Sequence, residues 1–138
     1  MAPRQATQEH DSQADEVKLR QNAESGDTDA MFALGIFLRN SGNTNDAKVW
    51  LRQAADAGDA RAMANLGVLL SEAGDSEGAL HYYLQAANAG DIDSMDLVGI
   101  ILQKQGDLDG ARHWWQRAAE AGDSEAMRNL GVYFWKEL

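Results

Sequence analysis

Ala111-Arg-His-Trp-Trp-Gln-Arg-Ala-Ala-Glu-Ala-Gly-Asp-Ser-Glu-Ala-Met-Arg-Asn-Leu-Gly131 is the stretch from which the fold is read. Its Gly122-Asp123 pair recurs at Gly26-Asp27, Gly58-Asp59 and Gly90-Asp91, every step 32 residues. Other positions keep the same phase. Met31, Met63, Met95 and Met127 align, as do Leu34-Gly35, Leu66-Gly67, Val98-Gly99 and Leu130-Gly131. Ala54-Ala55, Ala86-Ala87 and Ala118-Ala119 form a third aligned set. Self-similarity at a fixed interval of this size is the mark of a stacked-repeat architecture.

Each period divides into two helices. The first, an A-type helix, spans Thr28 to Asn40 in the first repeat, with Met31, Leu34 and Leu38 three and four residues apart. A glycine follows at Gly42, Gly74 and Gly106, and Asn43, Asp75 and Asp107 stand next as N-caps. The B-type helix spans Thr44 to Ala57, with Ala47, Trp50, Leu51, Ala54 and Ala55 on one face. Gly58 ends it in a left-handed conformation that glycine adopts at low cost. Short linkers at every corner make neighbouring helices antiparallel. The expected fold is therefore all-α, a right-handed α-solenoid of about eight helices. The glycine in each Leu-Gly pair implies a close approach between A and B helices, with the aligned alanine opposite.

The repeats set the expected boundaries. Residues 1–13 form a disordered N-terminal tail and residues 14–138 the repeat domain. A lone B helix covers 14–25, hairpins cover 27–57, 59–89 and 91–121, and a lone A helix covers 123–138. A lone helix at each end leaves three arrangements open: a monomer, set slightly ahead, a symmetric homodimer, and head-to-tail association.

Composition agrees with packed helices. Leu, Ile, Val and Phe make up 26 of 138 residues, a level low enough to suggest disorder in a charged chain, but 23 alanines reverse that reading. Alanine favours helix and lets backbones approach closely. The formal charge of −10 opposes phosphate binding, so no nucleic-acid partner is expected. Of the 22 acidic residues, 12 sit at predicted N-caps or first turns, where the helix dipole favours negative charge. No cysteine is present, which removes disulfide frameworks and thiolate chemistry. No apolar run reaches the roughly 20 residues of a membrane helix, and Met1 to Gln13 lacks the apolar segment of a secretory signal. A cytoplasmic location and no membrane partner are the resulting expectations.

The residues nominate no catalyst, cofactor or metal. His81 and His113 share a phase one repeat apart, which repeat drift explains better than chelation. Asp107-Leu108-Asp109-Gly110 has the start of a calcium loop without its remaining ligands, and reads as a cap and first turn. Trp114-Trp115 and Tyr82-Tyr83 read as core, one ring of each pair facing between repeats and the other leaning to the rim.

The stretch Ala111 to Gly131 resembles the Sel1-like repeat family, relatives of the tetratricopeptide repeat, and the likeness extends over about Asp15 to Leu138. This chain departs from that family in its short loops between A and B helices. The resemblance implies a non-enzymatic module that binds a protein or extended peptide in a concave groove lined by A helices, in the manner of a scaffold or adaptor. It assigns to that groove Phe32 and Ile36 from the first repeat, Arg61, Asn65 and Val68 from the second, Asp96 and Ile100 from the third, and Arg128, Asn129, Val132 and Trp135 from the last helix. Asn65 and Asn129 share a phase, and a carboxamide can hold a peptide backbone without reading its sequence. Arg61 and Arg128 could meet carboxylates of the partner. The plainer account is that these polar groups solvate an open face. An alternative function is that of a small acidic immunity, inhibitor or chaperone-type partner of a basic protein.

Overall fold

The computed structural model describes the backbone over residues 2–134 and the side chains over residues 13–134. Among the described residues there are eight α-helices and no strand. They are α1 (Ala2–Glu24), α2 (Thr28–Asn40), α3 (Thr44–Asp56), α4 (Ala60–Glu72), α5 (Ser76–Asn88), α6 (Ile92–Lys104), α7 (Leu108–Glu120) and α8 (Ser124–Phe134). Even-numbered helices are A-type and odd-numbered ones B-type.

Helix α1 departs from expectation. Where the sequence reading placed a disordered tail over residues 1–13, the backbone is helical from Ala2. Local chemistry explains this: Ala6, Gln5, Gln8 and Glu9 are good helix formers, and Pro3 lies in the first turn, where its missing N–H costs nothing.

All seven corners are the same device. Each linker has three residues, the middle one a glycine with φ between +84° and +99°. The third residue returns its N–H to a carbonyl five positions back, as in Asn43 to Leu38 at 2.8 Å and Asp91 to Ala86 at 3.0 Å. This satisfies orphan carbonyls at each helix end. The third residue then caps the next helix. Carboxylates of Asp27, Asp59, Asp75, Asp91, Asp107 and Asp123 accept from the amides of Ala30, Ala62, Gly78, Ser94, Gly110 and Ala126. Each such cap stabilises by about 1 kcal/mol. Asn43 corrects the expectation: it makes no side-chain cap, and its Nδ2 donates instead to Asp46 at 2.8 Å.

The chain divides into two compact units, Met1–Ala62 and Met63–Leu138. In the first, Ala23, Ala30, Leu34, Leu38 and Ala47 are buried together, with Leu19, Met31 and Trp50 packed against them. In the second, the core holds Tyr83, Met95, Val98, Trp114, Trp115 and Phe134 among five alanines. Trp115 stacks on Tyr133, ring centroids 5.5 Å apart, and its Nε1 donates to the Asp96 carbonyl at 3.3 Å. Neither tryptophan of the pair leans to the rim, where one of the two was expected: Trp114 is 8% and Trp115 1% exposed. Arg117 lies 4.8 Å from the Trp114 ring centroid.

The close approach at the Leu-Gly pairs also needs correction. A Cβ on Gly35 would meet the Leu51 side chain at 2.6 Å, and one on Gly67 would meet the Tyr83 ring at 2.6 Å. Gly99 faces the Trp115 indole in the same way. The glycine therefore makes room for the large residue sixteen positions on, with the alanine of the hairpin further off: at Gly35 the Ala47 carbonyl lies at 3.5 Å.

Candidate protein-binding surface

In the first unit the sequence-nominated residues fall into two places. Arg61, at the start of α4, is held by its own chain: it reaches Asp29 at 2.7 Å and Asp59 at 2.7 Å, and its guanidinium sits 4.3 Å from the Phe32 ring centroid. The bonds it donates, to Asp59 first and then to Asp29, push the Arg61 pKa above its already high value. Burial works against the ionised Asp59 carboxylate, but hydrogen bonds from the Arg61 side chain and the Ala62 amide outweigh it and hold its pKa below the usual value. Arg61 and Phe32 thus form one internal cluster. Ile36 lies elsewhere, on the floor of an open groove between α1 and α2. Sequence reading missed Asp29 as the partner of Arg61. The signal was present, because the two residues share a phase 32 positions apart.

In the second unit the nominated residues lie on α4, α6 and α8. Val68 and Ile100 are half-buried and pack against the core. Val132 is 61% exposed. Asn129 Nδ2 donates to Asp96 Oδ1 at 3.0 Å, which ties α8 to α6 on this face. Among the described residues nothing donates to the Asn129 carboxamide oxygen. Asn65 is half-buried and engaged within the fold. Arg128 pairs with Glu125 at 3.1 Å, both well exposed, a geometry of little energetic weight. Trp135 lies outside the described residues.

Charge is uneven here. Burial pushes the Asp96 pKa up; the bond from Asn129 opposes this, while Asp123, Glu125 and Asp93 add to it. A carboxyl whose pKa is raised on folding gives stability that is complete below its unfolded pKa and lost as pH rises through the folded value. Titration by NMR is expected to place the Asp96 midpoint above that of an ordinary Asp, about 3.9. Asp96→Asn keeps an acceptor for Asn129 and removes the charge. Denaturation of the variant is expected to match the parent in acid and to exceed it at neutral pH.

No group of three or more His, Asp or Glu able to hold a metal ion occurs among the described residues, and no described helix is long and apolar enough to cross a membrane.

A Sel1 repeat model matches residues 28–59 and 124–136, and a tetratricopeptide repeat model matches 60–88 and 92–121. The chain is similar to a Sel1 repeat protein from Oxalobacter formigenes of known crystal structure, with 32% identity and a TM-score of 0.72 over 85% of this chain and 97% of that one. It shares the fold of c5321, a protective antigen of uropathogenic Escherichia coli displaying an SLR fold, at 24% identity and a TM-score of 0.76. That likeness covers 88% of this chain and 29% of the antigen. MamA is similar at 16% identity and a TM-score of 0.66, over 96% of this chain and 82% of its own. None of the curated proteins matches the chain.

Proposed function

Since the chain belongs to the Sel1 repeat family, whose repeats generally mediate protein–protein interaction, we propose that it is a non-catalytic, cytoplasmic interaction module. Its ligand is an extended protein segment, taken in the second unit on the A-helix face that carries Asn65, Val68, Asp96, Ile100, Asn129 and Val132. One observation carries this reading. Asn129 is fixed by Asp96 at 3.0 Å, its carboxamide oxygen accepts no bond among the described residues, and the exposed Val132 side chain lies one turn away. A positioned acceptor next to apolar surface suits an extended backbone, whose N–H groups need partners and whose side chains need cover. The test begins with capture of partners from the native host and mapping of the bound segment. Asn129→Ala is then expected to weaken binding of that segment by about tenfold, the worth of one hydrogen bond, with helicity unchanged. Unchanged affinity rejects this face.

A second reading, that of an acidic immunity, inhibitor or chaperone-type partner of a basic protein, is favoured by the carboxylates of Asp93, Asp123 and Glu125 acting together on Asp96. Charge-driven capture of a basic partner weakens steeply with salt, whereas docking through backbone hydrogen bonds and apolar contact does not.

A further inference from the structure

Three glycines of A-type helices each open a notch that a B-type helix fills: Leu51 against Gly35, Tyr83 against Gly67, Trp115 against Gly99. Gly131 on α8 holds the same phase, and among the described residues nothing lies within 4 Å of where its Cβ would stand. Met127 is 51% exposed, although Met95, one repeat earlier, is 6% exposed.

The first unit has the matching feature. Helices α1 and α2 border an open groove of about 500 Å³, with Leu19, Ile36 and Phe37 on its floor and Asp15, Asn22 and Asn40 at its rim. Leu19 stands one period before Leu51, so it holds the phase that fills the notch elsewhere. We infer that this groove receives α8 of a second copy of the chain, with Leu19 of one molecule seated against Gly131 of the other.

The junction continues between molecules the A-on-B contact that already joins α2 to α3 and α6 to α7. Charge does not drive it: Glu125 has the phase of Asp29, and equal phases in successive repeats meet, as Asp29 and Arg61 do at 2.7 Å, so the junction brings Glu125 of one copy beside Asp29 of the next. Asp15 and Asn22 stand where Ala47 and Ala54 are buried, so the rim stays wet and the association is reversible and concentration-dependent. Because two different surfaces meet, the contact is head to tail and extends beyond a dimer.

Sedimentation velocity tests this on the full chain between about 1 μM and about 500 μM, the range of weak protein contacts. The average mass is expected to rise past that of a dimer. Gly131→Leu fills the notch and Leu19→Glu spoils the groove, and each variant alone is expected to be monomeric with full helicity. Mixed, they form a 1:1 dimer that grows no further, because one retains the helix face and the other the groove. A parent that stays monomeric throughout overturns the inference, as does undiminished association of folded Gly131→Leu. A closed dimer formed by Leu19→Glu alone points to a symmetric α8 contact and overturns it equally.

Discussion

Trp115→Ala is expected to destabilise the second unit by about 3–5 kcal/mol, the cost of emptying a fully packed tryptophan site. Trp115 is 1% exposed and fills the notch at Gly99. Its ring also stacks on Tyr133 and meets Phe134 edge-on at 6.3 Å, so one truncation strips contacts from α6, α7 and α8 together. The indole N–H bond to the Asp96 carbonyl goes as well, which leaves that carbonyl without its side-chain donor. A domain of this size is stable by about 5–15 kcal/mol in total, so a large share is removed. Urea denaturation followed by far-UV circular dichroism checks the shift. Val49→Ala, at a side chain 54% exposed, is the control and is expected to move stability by less than about 0.5 kcal/mol.

The second large effect is a contrast between two chemically identical changes. Gly99→Ala and Gly131→Ala both replace a mid-helix glycine, and helix propensity alone favours alanine by about 1 kcal/mol at each. At Gly99 the new methyl lies 2.6 Å from Trp115 Cδ1, and the buried indole has nowhere to swing. Overpacking of this kind costs about 1–3 kcal/mol and outweighs the propensity gain. At Gly131 the methyl enters open space, so the gain of about 0.5–1 kcal/mol is kept. The two denaturation midpoints are therefore expected to move in opposite directions from the parent. Equal shifts would show that the Gly99 contact relaxes at little cost.

Much of this fold is legible because its punctuation is explicit. Thr28–Asn40 is read to the residue from Asp27 before it and Gly42 after it, since a carboxylate cap and a left-handed glycine each suit one place in a helix. What faces the Leu-Gly notch is not legible. Trp50-Leu51, Tyr82-Tyr83 and Trp114-Trp115 are adjacent bulky pairs, and periodicity does not say which member turns toward the glycine. That depends on how far each helix is rotated on its neighbour, which tertiary packing decides. The capture of Arg61 by Asp29 and Asp59 was hidden for a related reason. Residues of equal phase in successive repeats meet side by side, so a cation that looks available to a ligand finds its counterion one repeat back. At Asn129, identity and position were legible, but its tether to Asp96 was not.

The seven glycine corners bear on how such a chain can lengthen or shorten. They recur every 16 residues, and at six of them an Asp caps the helix that follows. Excising a whole period, such as residues 60–91, rejoins Asp59 to Ile92 and regenerates a correct cap, whereas removing half a period sets a B face where an A face belongs. Deletion or duplication of a whole period thus leaves every junction chemically intact, so the number of periods is free to drift while their spacing stays fixed.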